Sequence, residues 1–214
     1  MMPQWVRIVD DDEAFCSSVA FIVRLVGLNA VEYESAESFL VRDDLSRPGC
    51  IVLDIRMPGR SGLVLQAELL ERGLDLPILF LTGHGDVPTA VLAMKRGAAD
   101  FLQKPVIPDL LQAPVKRLSA EHFALHTEKA RLEALRSQWD ELTPSEQETA
   151  VLLAEGLLNK IVADRMNIGL ETVKNHRAHV FEKLRLMSTV ELRDMMHAPG
   201  VIPPVNVLEK HPGG

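Results

Sequence analysis

The chain has few cysteines, no apolar run long enough to span a membrane and no signal-peptide pattern, and each absence excludes a class of protein. Only two of its 214 residues are cysteines, and because Cys16 and Cys50 lie in apolar surroundings we expect buried thiols of a reducing compartment rather than a disulfide. The longest apolar runs have the length of strands and fall short of a membrane span. The first residues, Met-Met-Pro-Gln-Trp, lack the basic start and long apolar stretch of a signal peptide. These features predict a cytoplasmic protein without a membrane partner.

Basic residues are also in deficit. The chain has 23 Lys and Arg against 30 Asp and Glu, a formal net charge of −7. That balance argues against a protein coated for nonspecific nucleic-acid binding, although it leaves room for a local basic face. A hydrophobic share of 47% with 25% charged residues is ordinary for a globular protein, and the length suits two domains.

The first half alternates short apolar runs with helix-like stretches. The runs occupy residues 5–9, 30–33, 50–53, 78–81 and 98–102. Strands that alternate with helices indicate a parallel sheet with helices on both faces. The sequence therefore predicts an α/β fold with a doubly wound five-stranded sheet.

Polar residues follow four of these runs. Asp10 and Asp11 follow the first, Asp54 ends the third, Thr82 follows the fourth and Lys104 follows the fifth. The carboxyl ends of parallel strands share one edge of the sheet, so we expect these side chains to lie together. A single Asp at a strand end usually does no more than start a turn. The convergence of four such ends favours a chemical site instead.

This set of residue types predicts phosphoryl chemistry. Three acids repel one another unless a cation lies between them, and hard carboxylate ligands suit Mg²⁺. Lys104 offers an ammonium and Thr82 a hydroxyl, both of which can bind phosphoryl oxygens. We therefore interpret Asp54 as a carboxylate that accepts a phosphoryl group.

Four motifs carry a family resemblance. The pair Asp10-Asp11, the stretch LDIRMPG around Asp54, LTGHGD around Thr82 and QKP at Lys104 together resemble a receiver domain of a two-component response regulator, over residues 4–118. The resemblance implies phosphoryl transfer from a sensor histidine kinase to Asp54. It also implies a cis peptide bond before the proline that follows Lys104.

The same resemblance assigns further roles near the site. It places Mg²⁺ among Asp10, Asp11, Asp54 and the backbone carbonyl of Arg56, and it makes Thr82 and Phe101 a switch pair. By itself Phe101 would be interpreted as a core aromatic. Asp12 and Glu13 are expected to be solvated or to begin a helix. His84 is interpreted as solvated, with proton transfer as the alternative.

The middle of the chain predicts a helical linker. Pro114 interrupts the last receiver helix, so we expect a kink or an early stop there. In relatives this helix belongs to the surface through which activated receivers dimerise. Residues 119–140 contain no glycine and carry leucines at helical spacing, which favours a helix over a flexible tether. His122 and His126 lie four apart without a third metal ligand, so we expect both on a solvated face.

The last quarter begins with a helix start at Thr143-Pro144, where Glu146 completes a capping box. Two further helices are predicted over residues 160–166 and 170–184. Two short helices, of which the second carries basic and amide side chains on its exposed face, are typical of a domain that binds the DNA major groove. A three-helix bundle that only packs against itself is an equal alternative. The side chains on the predicted exposed face are Thr172, Lys174, Asn175, Arg177 and Lys183.

A second motif favours the DNA reader. Leu142-Thr143 with Glu146, Gly156 with Asn159-Lys160 and Ala163, and Thr172-Val173-Lys174 with His176 and Lys183-Leu184 resemble a LuxR-type helix-turn-helix over residues 140–197. With the receiver, the chain resembles the NarL/FixJ class, in particular its FixJ branch. The resemblance implies that Lys174, Asn175 and Arg177 face bases, that Lys160, Thr172 and Lys183 lie near phosphates, and that His176 is structural or directed at phosphate. Residues 198–214 are predicted to form a poorly ordered tail.

These patterns predict a transcriptional regulator rather than an enzyme, with at most self-phosphorylation and self-dephosphorylation. Phosphorylation would drive a homodimer onto promoter DNA, with RNA polymerase as a further partner. Two alternatives stay open. One is a phosphatase that uses Asp10 as its nucleophile, and the other is a receiver that acts only through protein partners.

Overall fold

The computed structural model describes residues 3–83 and 87–198. The chain divides into two compact units, residues 1–126 and residues 127–214. Within the described ranges, no helix combines the length and apolar character that a membrane crossing needs.

The first unit contains the predicted five-stranded parallel sheet, with strand order β2-β1-β3-β4-β5. The strands are β1 (Trp5–Val9), β2 (Asn29–Tyr33), β3 (Gly49–Asp54), β4 (Ile78–Thr82) and β5 (Asp100–Gln103). The last strand begins two residues later than predicted. The reason is that the Ala98 N–H bonds back to the Ala93 carbonyl at 3.0 Å and closes the preceding helix.

Helices cover both faces of this sheet, because successive side chains of each strand point to opposite faces and apolar side chains lie on both. The helices are α1 (Glu13–Leu25), α2 (Ala36–Arg42), α3 (Gly62–Glu71), α4 (Val87–Lys95) and α5 (Pro108–Asp140). In β3, Ile51 and Leu53 pack with α2 and α3, whereas Cys50 and Val52 pack with α1 and α5. This period of two buries β3 on both faces.

Pro114 does not stop α5, which continues to Asp140, so the expected early stop is wrong. The proline lacks the N–H that would pair with the Leu110 carbonyl four residues earlier. Leu110 is exposed, so water can satisfy that carbonyl. Leu111 and Val115 are fully buried against the sheet on either side of the proline, and their packing holds the helix together.

Buried polar groups at the amino end of the sheet were not all anticipated. His122 is 6% exposed, and its Nδ1 accepts the Gly49 N–H at 3.1 Å, so the prediction of a solvated His122 is wrong. Arg7, inside a strand predicted as apolar, is fully buried and pairs with Asp43 at 2.9 Å. Both cysteines are free and buried, as predicted.

In the described part of the second unit, four helices pack with the end of α5 around Trp139, which is 2% exposed. They are α6 (Pro144–Ala154), α7 (Asn159–Met166), α8 (Leu170–Lys183) and α9 (Thr189–His197). The predicted capping box is present, since the Thr143 side chain accepts the Glu146 N–H and the Glu146 carboxylate accepts the Thr143 N–H. Asn167, at φ 53°, forms the turn between α7 and α8. The tail predicted from residue 198 lies, from residue 199 onward, outside the described residues.

Candidate functional sites

The strand register brings the predicted polar residues to one edge of the sheet. Val9 pairs with Leu53, so Asp10 leaves β1 beside Asp54 on β3. Asp54 in turn pairs with Leu81, which places Thr82 one residue further along β4. Since all strands run in parallel, these carboxyl ends lie at one edge of the sheet.

Three carboxylates converge at this edge. One oxygen from each of Asp10, Asp11 and Asp54 lies within 4.8 Å of the others, and Asp10 and Asp54 are only 3% and 7% exposed. Burial raises the pKa of Asp54, the Lys104 ammonium opposes that rise, and the Asp10 charge adds to it. Hard oxygen ligands this close together fit a divalent cation such as Mg²⁺.

Lys104 connects two of these acids. Its Nζ lies 2.5 Å from Asp10 Oδ2 and 3.7 Å from Asp54 Oδ1. Its backbone N–H donates to the Thr82 carbonyl at 2.9 Å, and the peptide bond to Pro105 is cis, as expected. The lysine thus places one positive charge beside the carboxylate that was predicted to accept a phosphoryl group.

Gly62 fixes the loop behind Asp54. Its N–H donates to the Ile55 carbonyl at 3.0 Å. A Cβ added to Gly62 would lie 2.1 Å from the Asp54 backbone oxygen, so only glycine fits this approach of backbone to backbone. Sequence reasoning did not single out Gly62, because this requirement arises from a contact between α3 and β3.

The remaining predicted residues of this site lie at different depths. Thr82 is 1% exposed, at the end of β4. Phe101 is half-buried beside Phe80 in the sheet register and packs on the core face that contains Leu53. Arg56 is exposed in the loop after β3. His84 lies outside the described residues.

A second candidate surface lies on α7 and α8. Most of the predicted DNA-facing side chains are exposed, namely Lys160, Thr172, Lys174, Asn175 and Arg177. Among the described residues, Lys174 forms an ion pair only with its helical neighbour Glu171, at 3.0 Å. The Arg177 guanidinium donates to Asn159 Oδ1 at 3.2 Å and therefore connects α8 to α7. This face offers the donors and positive charge that bases and phosphates accept.

Two predicted DNA contacts are more enclosed. His176 is half-buried, and its buried Nδ1 has no hydrogen-bond partner in the part of the chain that the structure describes, which suits the structural role. Lys183 donates to Glu146 Oε2 at 2.6 Å and to the Glu141 carbonyl at 3.4 Å. The Lys183 ammonium is therefore already engaged within its own domain.

Glu146 organises this domain from the inside. Its carboxylate is 5% exposed, accepts the Thr143 N–H at 2.8 Å and also lies 3.3 Å from His179 Nδ1. Burial alone would raise its pKa, but the bonds from Lys183 and Thr143 outweigh burial and lower the pKa to about 2. The sequence revealed Glu146 only as part of a cap, because its partners on α8 are more than thirty residues away.

Two families match this chain, one over each of its two domains. The family described as response regulator receiver domain matches residues 6–116, and the family described as bacterial regulatory proteins, luxR family, matches residues 140–196. The chain is a response regulator of the NarL/FixJ class. Such regulators are DNA-binding transcription factors activated by phosphorylation, and they are generally not enzymes. The two matched segments include both Asp54 and the last quarter, which the phosphatase alternative leaves unexplained.

Individual relatives span nearly the whole regulator. The tetrathionate response regulatory protein TtrR of Salmonella typhimurium is 41% identical, over 87% of this chain and 89% of that protein. The transcriptional regulatory protein FixJ of Azorhizobium caulinodans is 40% identical, over 92% of this chain and 94% of that protein. The solved structure of the response regulator StyR matches with a TM-score of 0.82 at 33% identity, over 92% of this chain and 98% of that one.

Proposed function

We propose that Asp54 is the phosphoacceptor of this regulator. The observation that carries the proposal is the convergence of Asp10, Asp11 and Asp54 within 4.8 Å, with the Lys104 ammonium 3.7 Å from Asp54. In the transfer, an Asp54 oxygen forms a bond to phosphorus while the bond from phosphorus to the kinase histidine nitrogen breaks. Lys104 offsets the negative charge on the phosphoryl oxygens.

Magnesium belongs to this proposal. Asp10, Asp11, Asp54 and the backbone carbonyl of Arg56 would hold the ion, and their hard oxygens fit its ligand preference. When bound, Mg²⁺ supplies positive charge to the phosphoryl oxygens and to the crowded acids. The same site would support slow self-phosphorylation from small phosphodonors and self-dephosphorylation.

Phosphorylation adds nearly two negative charges beside Thr82. We propose that the Thr82 hydroxyl moves to the phosphoryl group and that Phe101, now half-buried on the core, moves inward with it. The fourth and fifth elements of the receiver would then form a homodimer. Two DNA-binding domains brought together would bind paired half-sites on promoter DNA, with RNA polymerase as the next partner.

The proposed DNA face consists of α8 with the start of α7. Lys174, Asn175 and Arg177 would contact bases, Lys160 and Thr172 phosphates, and His176 would support the helix from within. Lys183 lies on the same helix, but its ammonium is paired with Glu146, so we expect it to contribute least to DNA affinity. A cytoplasmic location follows from a partner that is promoter DNA.

The domain limits that we propose are 4–118 for the receiver, 119–140 for a helical linker and 141–197 for the DNA-binding domain. The family matches and the helical conformation of residues 119–140 support them. The two compact units divide inside the linker, between residues 126 and 127.

Label transfer tests the phosphoacceptor. With Mg²⁺ and radiolabelled acetyl phosphate or kinase, we expect labelling of the wild type, none of Asp54→Asn, and strongly reduced labelling of Asp10→Asn. Asp109→Asn is the matched control, because Asp109 is exposed in the first turn of α5 and is not one of the clustered acids. Label that survives in Asp54→Asn but disappears in Asp10→Asn would support the phosphatase instead.

DNA binding is tested by footprinting and by salt titration on promoter fragments. Lys160→Ala is expected to weaken binding, and loss of its phosphate contact would reduce the slope of log affinity against log salt by about one. Lys129→Ala, an equal charge change at an exposed position of α5, is expected to bind as the wild type does. No protection and a flat salt response in the phosphorylated protein would indicate a receiver that acts through protein partners.

A further inference from the structure

The Lys104 ammonium has a third neighbour besides the two acids. Its Nζ lies over the Phe15 ring, 4.0 Å from the ring centroid. An ammonium at that distance is attracted by the negative face of an aromatic ring. The lysine is therefore held by Asp10 at 2.5 Å, by Asp54 at 3.7 Å and by the ring.

The ring itself is fixed by the acidic loop. The Phe15 N–H donates to Asp12 Oδ1 at 3.0 Å, and the Asp12 N–H donates to Asp10 Oδ1 at 3.1 Å. The half-buried Phe15 side chain also packs against the core face covered by α1. The same few bonds thus set the position of Asp10 and of the ring.

The position of the ring matters because the Lys104 ammonium can pair with either Asp10 or Asp54. A lysine is a point charge on a flexible four-carbon stem, so its ammonium loses conformational freedom when it must stay at one place. A ring 4.0 Å from the ammonium limits where the ammonium can go. Charge that is placed in advance stabilises a transition state more than charge that must be reoriented.

We propose that Phe15 is a positioning residue that holds the Lys104 ammonium beside Asp54 and thereby speeds phosphoryl transfer. This inference rests on the proposed role of Asp54. With acetyl phosphate as donor, an Asp54 oxygen bonds to phosphorus, the bond from phosphorus to the acetyl oxygen breaks, and acetate leaves. The ring takes no part in these bonds and acts only through Lys104.

The test measures the rate of Asp54 phosphorylation by acetyl phosphate and Mg²⁺ in the full-length protein. Phe15→Leu keeps an apolar side chain but removes the ring, and we expect a roughly three- to tenfold slower rate, the size of a partly desolvated cation–π contact. Phe15→Tyr, which keeps the ring, should restore most of the rate. Phe21→Leu is the matched control, because Phe21 is 61% exposed on the same helix, and its rate should equal that of the wild type.

Fluorinated phenylalanines at position 15 separate electrostatics from shape. Each added fluorine weakens the negative face of the ring with little change in size, so the rate should fall stepwise. In a Lys104→Met background, Phe15→Leu should cause no further loss. A rate that is unchanged by fluorination, or an equal loss from Phe15→Leu with and without Lys104, would overturn the inference. Label that persists in Asp54→Asn would instead overturn the proposed function.

Discussion

Replacement of Glu146 by Gln should destabilise the DNA-binding domain. The wild-type carboxylate accepts the Thr143 N–H and the Lys183 ammonium, and it lies beside His179. The Thr143 N–H and the Lys183 ammonium bind the same oxygen, Oε2, so glutamine can keep both hydrogen bonds through its amide oxygen, with its NH2 group toward His179, but it carries no negative charge. The variant thus keeps the cap but loses the ion pair between α6 and α8.

The expected loss of unfolding free energy follows from the lowered pKa of the Glu146 carboxylate. A pKa lowered from 4.5 to about 2 corresponds to roughly 3 kcal/mol at neutral pH. Lys183 is 34% exposed, so solvent screening reduces the expected loss in Glu146→Gln to about 2 kcal/mol. For a domain of this size that loss lowers the melting temperature by roughly 10 °C.

The assay uses Trp139, which is buried in the same helical core. With Trp5→Phe as background, Trp139 is the remaining tryptophan and reports urea unfolding of this domain. Glu155→Gln on the C-cap of α6 is the control, because Glu155 is exposed and makes a single ion pair at 3.5 Å. We expect it to cost about 0.5 kcal/mol or less.

The effect must also depend on pH in one direction. A carboxylate with a lowered folded pKa stabilises the fold above about pH 4.5, and that stabilisation is lost as the pH falls toward 2. The difference between wild type and Glu146→Gln should therefore shrink below pH 4.5. Equal stability of the two proteins at pH 7, or a difference that does not change between pH 7 and pH 3, would refute the reasoning.

Two further predictions concern the receiver. Burial lowers the pKa of His122, and Asp75 only partly opposes that effect. The stability of the receiver should therefore fall as the pH drops below 6.5. In His122→Gln, the free energy of urea unfolding should lose this pH dependence. Gly62→Ala should cost about 2–4 kcal/mol, because its Cβ would meet the Asp54 carbonyl. Gly73→Ala, with open space just past the C-terminal end of the same helix, should cost about 1 kcal/mol from its positive φ alone. Thermal melts that rank the two glycine variants in the opposite order would contradict the packing argument.

Local patterns in the chain were sufficient for the architecture. Apolar runs with acids at their ends predicted the strands, and the capping box at Thr143 predicted the start of α6. The local patterns gave wrong predictions where contacts between residues far apart in the chain outweighed them. For Pro114 the local rule predicted a kink or an early stop, and the early stop is wrong, because α5 continues with buried residues on either side of the proline. His122 has the spacing of a surface residue, but the Gly49 N–H needs its ring nitrogen as an acceptor.

The sequence by itself determined the sheet, the two-domain order and the acids at the carboxyl edge, because hydrophobic period and turn chemistry act over a few residues. Tertiary structure alone decided where the charges lie. Lys104 contacts Asp10 and Phe15, about ninety residues earlier in the chain, and Lys183 pairs with Glu146. Such partners depend on side-chain directions across packed elements, which a linear pattern does not record.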